Sequence, residues 1–274
     1  MILAQPLVNC FVPMNTTQVN KELYFSSRPQ ENTDIPVFLP SDLKTHFEKM
    51  YSEVAEPWDY TSRGVELLRF EYVARKAMEL NPQKGPLLDV GCALGQLTHR
   101  LLNASNEIHA IDISLTAVRN AKQKCASLPG GAEIHFACAS ATDLPYVDEY
   151  FDLVIFSDGL EGWELSTDQR LKALAHAFRV VKPGGYVLLT DYLHPRDFKK
   201  HIELIKSTAF RLKKVDYLCD RVGFQITNNL RGIKTWPGVR QLLSHVGFMK
   251  LLAQLSRPWG SRASKHLAMV LQKP

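Results

Sequence analysis

Pro86-Leu-Leu-Asp-Val-Gly-Cys-Ala-Leu-Gly95 decides how the rest of the chain is read. Leu87, Leu88 and Val90 suit a strand buried on both faces of a parallel sheet. Gly91 and Gly95 admit backbone angles that a Cβ would forbid, so the chain can turn sharply and a ligand can come close. Gln96-Leu-Thr-His-Arg-Leu-Leu102 then predicts a helix whose N-terminus points at the turn. Strand, glycine turn and helix make the first unit of a nucleotide-binding sheet. The dinucleotide spacing G-x-G-x-x-G is missed, because Cys92, Ala93 and Leu94 separate the two glycines.

Working outward, strands and amphipathic helices alternate. Glu107-Ile-His-Ala-Ile-Asp112 reads as a second strand ending in an acid, followed by a helix that Ser114 caps. Glu133–Cys138 is a third strand, and a polar loop, Ser140-Ala-Thr-Asp-Leu-Pro145, follows it. Phe151–Phe156 is a fourth, leading into Ser157-Asp158-Gly159. Ser166-x-x-Gln169 is a capping box that opens a helix, and Lys182-Pro-Gly-Gly185 feeds a fifth strand, Tyr186–Asp191. Such alternation requires crossovers and hence an α/β, doubly wound, mostly parallel sheet. Two further strands, Phe248–Leu255 and His266–Gln272, bring the expected number to seven, with a helix over Pro237–His245. His194–Thr235 is too long for an ordinary connection and is expected to be an insertion covering the site, with helical stretches near Asp197–Ile205 and Phe210–Leu218. Before the sheet, helices are expected over Ser41–Tyr51 and Thr61–Leu80. Residues 1–40 carry five prolines and are expected to form an irregular arm, with the folded unit beginning near Ser41.

The chain has 274 residues, 45% hydrophobic and 22% charged, as expected of a globular protein. A net charge of +5 is a mild excess that fits a solvated surface and argues against nucleic acid as the partner. Five cysteines without C-x-x-C spacing suggest reduced thiols. No apolar stretch approaches the ~18 residues that a membrane span needs, and a basic leader is lacking, so a cytoplasmic location is expected.

In an open parallel sheet the ligand lies beyond the carboxyl ends of the strands. Those ends carry Asp89 and Gly91, Asp112, Asp143, Ser157 with Asp158, and Asp191. An acid that ends the second strand can accept from both hydroxyls of a ribose. Asp112 is therefore either a ribose ligand or a helix cap, and Asp143 either a ligand or an Asx-turn before Pro145.

The acid followed by Gly91-Cys-Ala-Leu-Gly95 resembles the first motif of class I S-adenosylmethionine-dependent methyltransferases, acid then G-x-G-x-G, with Ala93 in place of the middle glycine. Asp143-Leu-Pro-Tyr, Phe151-Asp-Leu-Val and Phe178-Arg-Val-Val-Lys-Pro-Gly-Gly185 extend the likeness over Leu87–Asp191, to the small-molecule branch that includes quinone and sterol enzymes. The resemblance implies a Rossmann-like methyltransferase domain over 41–274 with S-adenosylmethionine as cofactor. Gly91, Cys92, Ala93 and Gly95 would touch its methionine part, Asp112 its ribose, and Asp143 and Leu144 its adenine, with Asp89, Ile113, Thr142 and Ser157 completing the cofactor site. Tyr51, Glu56-Pro-Trp-Asp-Tyr60 and Glu66-x-x-Arg69 are similar to the N-terminal segment of nodulation-type N-methyltransferases, which methylate an amino sugar, although Val65 stands where that group has an aromatic residue.

Methyl transfer is an in-line displacement at carbon, and a base is needed only where the acceptor must lose a proton. His194 is the candidate base, or else a loop cap. Asp158 and Glu161 are candidate carboxylates for the acceptor. Trp163 offers a π face for a cation. Tyr51, Trp58 and Tyr60 are either a lid or core packing. Ser157-Asp-Gly-Leu160 lacks the Pro-Pro-aromatic run of nucleic-acid amino-methyltransferases, and there is no Pro-Cys for base C5 chemistry. Asp158 and Asp191 are too few carboxylates for a magnesium site, so no metal is expected. The expected reaction is methylation of nitrogen or oxygen in a small-molecule metabolite. One alternative is amino-sugar N-methylation. Another is a non-catalytic cofactor-binding module holding a partner through Lys199, Lys200, Lys206, Arg211, Lys213 and Lys214, which otherwise read as a solvated face.

Overall fold

The computed structural model describes residues 24–30, 34–39, 46–126, 131–160, 165–233 and 236–274. Its centre is β1 (Leu87–Val90), a strand buried at every position. β2 (Glu107–Asp112) and β4 (Phe151–Ser157) flank it, both parallel to it. β3 (Glu133–Cys138) pairs beyond β2, and β5 (Val181–Tyr192) beyond β4. β7 (His266–Gln272) is antiparallel to β5 and carries the edge strand β6 (Arg211–Tyr217), giving the order β3-β2-β1-β4-β5-β7-β6. The strand order reverses at β1, and the crevice that a ligand uses opens there.

Helices cover both faces. Leu88, Val90, Ile111, Val154, Phe156, Val187 and Leu189 form one buried layer, and Leu87, Ile108, Leu153, Ile155, Leu188 and Val270 the other. This is why β1 and β4 are apolar at most positions, with Asp89 and Asp152 the acidic exceptions. α1 (His46–Glu53) and α2 (Gly64–Leu80) precede the sheet, α3 (Leu115–Ala126) joins β2 to β3, and α4 (Thr167–Val180) joins β4 to β5. At the start of α4 the backbone NH of Gln169 donates to Ser166 Oγ (3.3 Å), while Gln169 Oε1 accepts from the backbone NH of Ser166 (2.9 Å). α5 (Phe198–Lys206), α6 (Arg221–Asn229), α7 (Pro237–Ser244) and α8 (Val246–Ser256) complete the fold.

Three expectations are corrected. Residues 248–255 lie in α8, not in a strand: Met-Lys-Leu-Leu-Ala-Gln is made of helix formers without a β-branched side chain. The sixth strand is Arg211–Tyr217, where a helix was expected, so 194–235 is not wholly an insertion but supplies α5, β6 and α6. After the glycine turn the chain makes a short 3-10 turn, Thr98–Leu101, in place of a helix over 96–102.

Part of the N-terminal arm lies along the outer edge of β3. Cys138 N donates to Pro36 O and Phe38 N to Cys138 O, both at 2.9 Å. Tyr24 and Ile35 are buried there, and the arm covers an edge that would otherwise expose unpaired backbone groups. The boundary expected near Ser41 falls outside the described residues.

Candidate functional site

Strand register sets the site. Val90 pairs with Ile111 on one side and Phe156 on the other, so Gly91, Asp112 and Ser157 leave the sheet side by side. Above them lies a cleft of about 400 Å³. Gly91 has φ +80°, and a Cβ there would meet only Gly159 Cα, at 3.9 Å, so this backbone faces open space. The NH groups of Gly91 and Cys92 both donate to Ile111 O (2.8 and 2.9 Å), which pins the turn to β2.

Ala93, standing where the motif has its middle glycine, also sits in the left-handed region, at φ 48°. That conformation costs a residue with a Cβ about 1–2 kcal/mol. Its backbone NH is held by Asp112 Oδ2 at 2.9 Å. Asp112 Oδ1 accepts from the NH of Ser114, also at 2.9 Å, so this carboxylate caps α3 as well as facing the cleft. An ionised carboxylate has roughly four acceptor positions. The NH groups of Ala93 and Ser114 take two and the NH of Ile113 also supports the charge, leaving capacity for a ribose hydroxyl. Burial pushes the Asp112 carboxyl up to about 6, against the lowering effect of those NH donors.

An aromatic canopy of Phe47, Tyr51, Trp58 and Tyr60 closes this end. Trp58 Nε1 donates to Tyr51 Oη (3.0 Å), and the buried Tyr51 hydroxyl is pushed well above the usual tyrosine range by desolvation and then by the Asp112 charge. Glu48 sets the canopy in place from α1. It accepts from Ser114 Oγ (2.6 Å), Thr116 Oγ1 (2.6 Å) and Thr116 N (3.2 Å), tying α1 to the start of α3.

The other end is built from charged groups under an apolar wall. Arg69 is fully buried. Its Nε and Nη2 donate to Glu66 Oε2 (3.1 and 3.0 Å), Nη2 also meets Asp158 Oδ2 (3.2 Å), and Nη1 donates to Ser157 Oγ. Asp158, at φ 59°, turns back under the cleft. Because β7 runs antiparallel and pairs His266 with Tyr192, His266 enters the sheet at the edge where β4 and β5 leave it. Its Nε2 bonds Asp158 Oδ2 (3.1 Å) and its Nδ1 bonds Asp220 Oδ2 (2.5 Å). Burial opposes charge on His266, but Asp158 and Asp220 outweigh it and raise the imidazole to about 10. Burial likewise opposes ionisation of Asp158, and Arg69 and then His266 overcome it, holding the carboxyl below its usual range. Glu66, Asp158 and His266 bring ligand-type atoms within 4.8 Å of one another. Arg69 already supplies the positive charge between the two carboxylates.

Gly91, Ala93, Asp112, Ile113, Thr142, Ser157 and Asp158 line the cleft, with Tyr51, Trp58 and Tyr60. Other expected ligands lie elsewhere. Asp89 is buried beneath the turn, where Thr98 Oγ1 donates to it (2.7 Å) and burial raises its carboxyl to about 7. Cys92 is buried in the core, and a Cβ on Gly95 would meet Ala121 and Cys125, so this glycine packs on α3. Leu144, 1% exposed, belongs to the sheet core, and Asp143 is exposed outside the cleft wall. The Ser140–Asp143 bridge turns Ala141 and Thr142 toward the ligand side in their place. His194 is exposed and its Nδ1 accepts from Arg196 N (3.3 Å): it caps a turn and is no base for this cleft. Glu161 and Trp163 lie outside the described residues. Arg63, Tyr192 and Phe224 also line the cleft, and neither they nor His266 beneath it were singled out from the sequence. A histidine opening the apolar strand His-Leu-Ala-Met-Val-Leu was the available signal for the last.

A family described as methyltransferase domain matches residues 88–189. Over these residues the chain carries a methyltransferase domain on the seven-stranded, mostly parallel sheet described above. The cradle at Gly91, the unfilled acceptor capacity of Asp112 and the canopy fit S-adenosylmethionine as its cofactor. The domain is 29% identical over 149 residues to a demethylmenaquinone methyltransferase of Renibacterium salmoninarum, covering 53% of this chain and 58% of the relative. It is 27% identical over 159 residues to a ubiquinone/menaquinone biosynthesis C-methyltransferase of Proteus mirabilis, covering 56% and 61%. The chain thus spans about three fifths of the length of these curated relatives. Its fold resembles that of the N-methyltransferase NodS from Bradyrhizobium japonicum WM9, solved with S-adenosyl-L-homocysteine (TM-score 0.53, 14% identity, 83% of this chain and 99% of the other).

Proposed function

We propose that this chain transfers the methyl group of S-adenosylmethionine to a nitrogen or oxygen of a small acceptor with an apolar body. The observation that carries the reading is the acceptor end of the cleft, where Tyr192, Phe224 and Leu165 line the same wall region as Glu66 and Asp158. The cofactor supplies an activated methyl on a sulfonium, so alignment of the acceptor does most of the work, with about 7–11 kcal/mol available from orientation. Asp112 and the Gly91–Ala93 backbone hold the nucleoside and amino-acid ends, and the canopy excludes water. Arg69 and His266 keep Asp158 ionised. A carboxylate held that low is a poor proton acceptor but a good orienting group. It accepts a hydrogen bond from an N–H or O–H and aims the lone pair at the methyl carbon; the S–CH3 bond breaks as the bond to nitrogen or oxygen forms, S-adenosylhomocysteine leaves, and the acceptor's proton is lost to water.

Carbon methylation is the second reading, favoured by the name of the Proteus relative, whose match covers 56% of this chain. Turnover of the full chain with S-adenosylmethionine against amines, amino sugars, phenols and quinols, with products separated by mass spectrometry and NMR, tests both. New N–CH3 or O–CH3 groups are expected. Products bearing only new C–CH3 bonds would replace the first reading by the second. Cofactor binding without S-adenosylhomocysteine from any acceptor would contradict both.

A further inference from the structure

All 28 Asp and Glu residues of the chain lie before residue 221, and residues 221–274 hold nine Lys and Arg with no acid. That segment folds into α6, α7, α8, the turn Arg257–Ala263 and β7. α8 is two-sided. Phe248, Met249 and Leu252 pack inward with Val65, Leu243 and Phe224. Leu251 and Leu255, four residues apart and so stacked on one helix face, are 51% and 62% exposed. Trp259, just beyond, is 64% exposed; on the neighbouring α7, Trp236 is 63% and Leu242 43% exposed. Arg257 and Arg262 stand exposed beside the ridge. Two open indoles and three open leucines between residues 236 and 259 are more than a solvated surface needs.

We propose that this face docks on the surface of an anionic lipid bilayer. Leucine and tryptophan are the side chains that enter the interfacial zone, and the exposed Arg257 and Arg262 are drawn to anionic headgroups, whereas Lys250 is already paired with Glu71 (2.5 Å). No helix among the described residues is long and apolar enough to cross a membrane, so the contact is peripheral. Charge complementarity selects this occupant. Two copies would bring the cation-rich segments 221–274 together against like-charge repulsion. A nucleic acid would match the cations, yet its phosphates offer nothing to the leucines. The inner side of the same layer carries Phe224, which lines the cleft, so docking holds the acceptor end near the lipid. The proposal does not depend on which atom is methylated.

The test is flotation of the full chain with vesicles of phosphatidylcholine alone or mixed with phosphatidylglycerol, at low and high salt. Tryptophan quenching by brominated lipid is read in parallel. Binding to the mixed vesicles, weakened by salt and accompanied by quenching, is expected. L255S with W259S should reduce partitioning about tenfold, with thermal melting and S-adenosylhomocysteine affinity unchanged. R257Q with R262Q should flatten the salt dependence. If the serine pair fails to fold, the single W259F in the brominated-lipid assay replaces it and should lose part of the quenching. Three results would overturn the proposal: failure to float with mixed vesicles, partitioning unaltered by the substitutions, or concentration-dependent self-association through this face without lipid binding.

Discussion

The two ends of one cleft are built on different principles. The cofactor end is mostly backbone: a turn at Gly91–Ala93, two NH donors on Ile111, and a carboxylate whose partners are the NH groups of Ala93 and Ser114. These parts lie close together in the chain, from 91 to 114, with the canopy from residues 47–60 closing over them. The acceptor end is a buried ionic chain, Glu66–Arg69–Asp158–His266–Asp220, assembled from α2, the end of β4, the start of α6 and the start of β7. Backbone NH groups hold the buried Asp112 carboxylate in place without a counter-charge. A buried ion pair is held by mutual need, since losing one member strands the other in a medium that cannot solvate it. The two ends should therefore fail in opposite ways.

Arg69→Met should give the largest effect. It removes the cation that Glu66 and Asp158 share, leaving Glu66 to Arg63 (3.8 Å) and Asp158 to His266 (3.1 Å), and a stability loss of about 3–5 kcal/mol is expected by denaturant unfolding. Turnover should fall with it, while the affinity for S-adenosylhomocysteine of the protein that stays folded changes little. A cofactor affinity that falls in step with stability would erase the distinction between the ends.

The pH dependence of stability sharpens the comparison from the same side. His266 is raised from its ordinary value to about 10 by Asp158 and Asp220. Its stabilisation is complete below the unfolded-state value of about 6.5 and is lost as pH rises through about 10. His266→Gln should flatten the unfolding free energy between pH 7 and 10 relative to the unsubstituted chain. Matching slopes in the two proteins would show that the imidazole is not charged there.

At the cofactor end the pH effect appears in binding. Asp112 titrates near 6, and its ionised form is the hydroxyl acceptor. Cofactor affinity should be level above pH 7 and weaken as pH falls through about 6, by calorimetry in matched buffers. The smallest effect is expected far from either end: Ser166→Ala removes the capping box of α4 and should cost about 1 kcal/mol in unfolding free energy, with turnover unaltered.

The same division explains what the sequence could disclose. Leu87–Val90, Phe151–Ser157 and the Ser166 cap follow from local pattern, because each is fixed by neighbours within a few residues. Asp112 was legible as the acid ending β2, and its double engagement as cap and cleft wall follows from strand register. His266 and Asp220 were not, because they meet Asp158 only through the antiparallel closure of β7 on β5. Leu144 and His194 were misplaced for a related reason. Residues next to a site in sequence can turn into the core or out to solvent, and only the turn geometry decides which.

The central claim is that Asp112 grips the sugar of a nucleoside laid across the glycine turn. Calorimetric titration of S-adenosylhomocysteine into the unsubstituted chain and into Asp112→Ala at pH 8 tests it directly. The account predicts one site per chain, a loss of about 1–3 kcal/mol in the variant, and far less damage to folding than Arg69→Met causes. Equal affinity in the two proteins would contradict it.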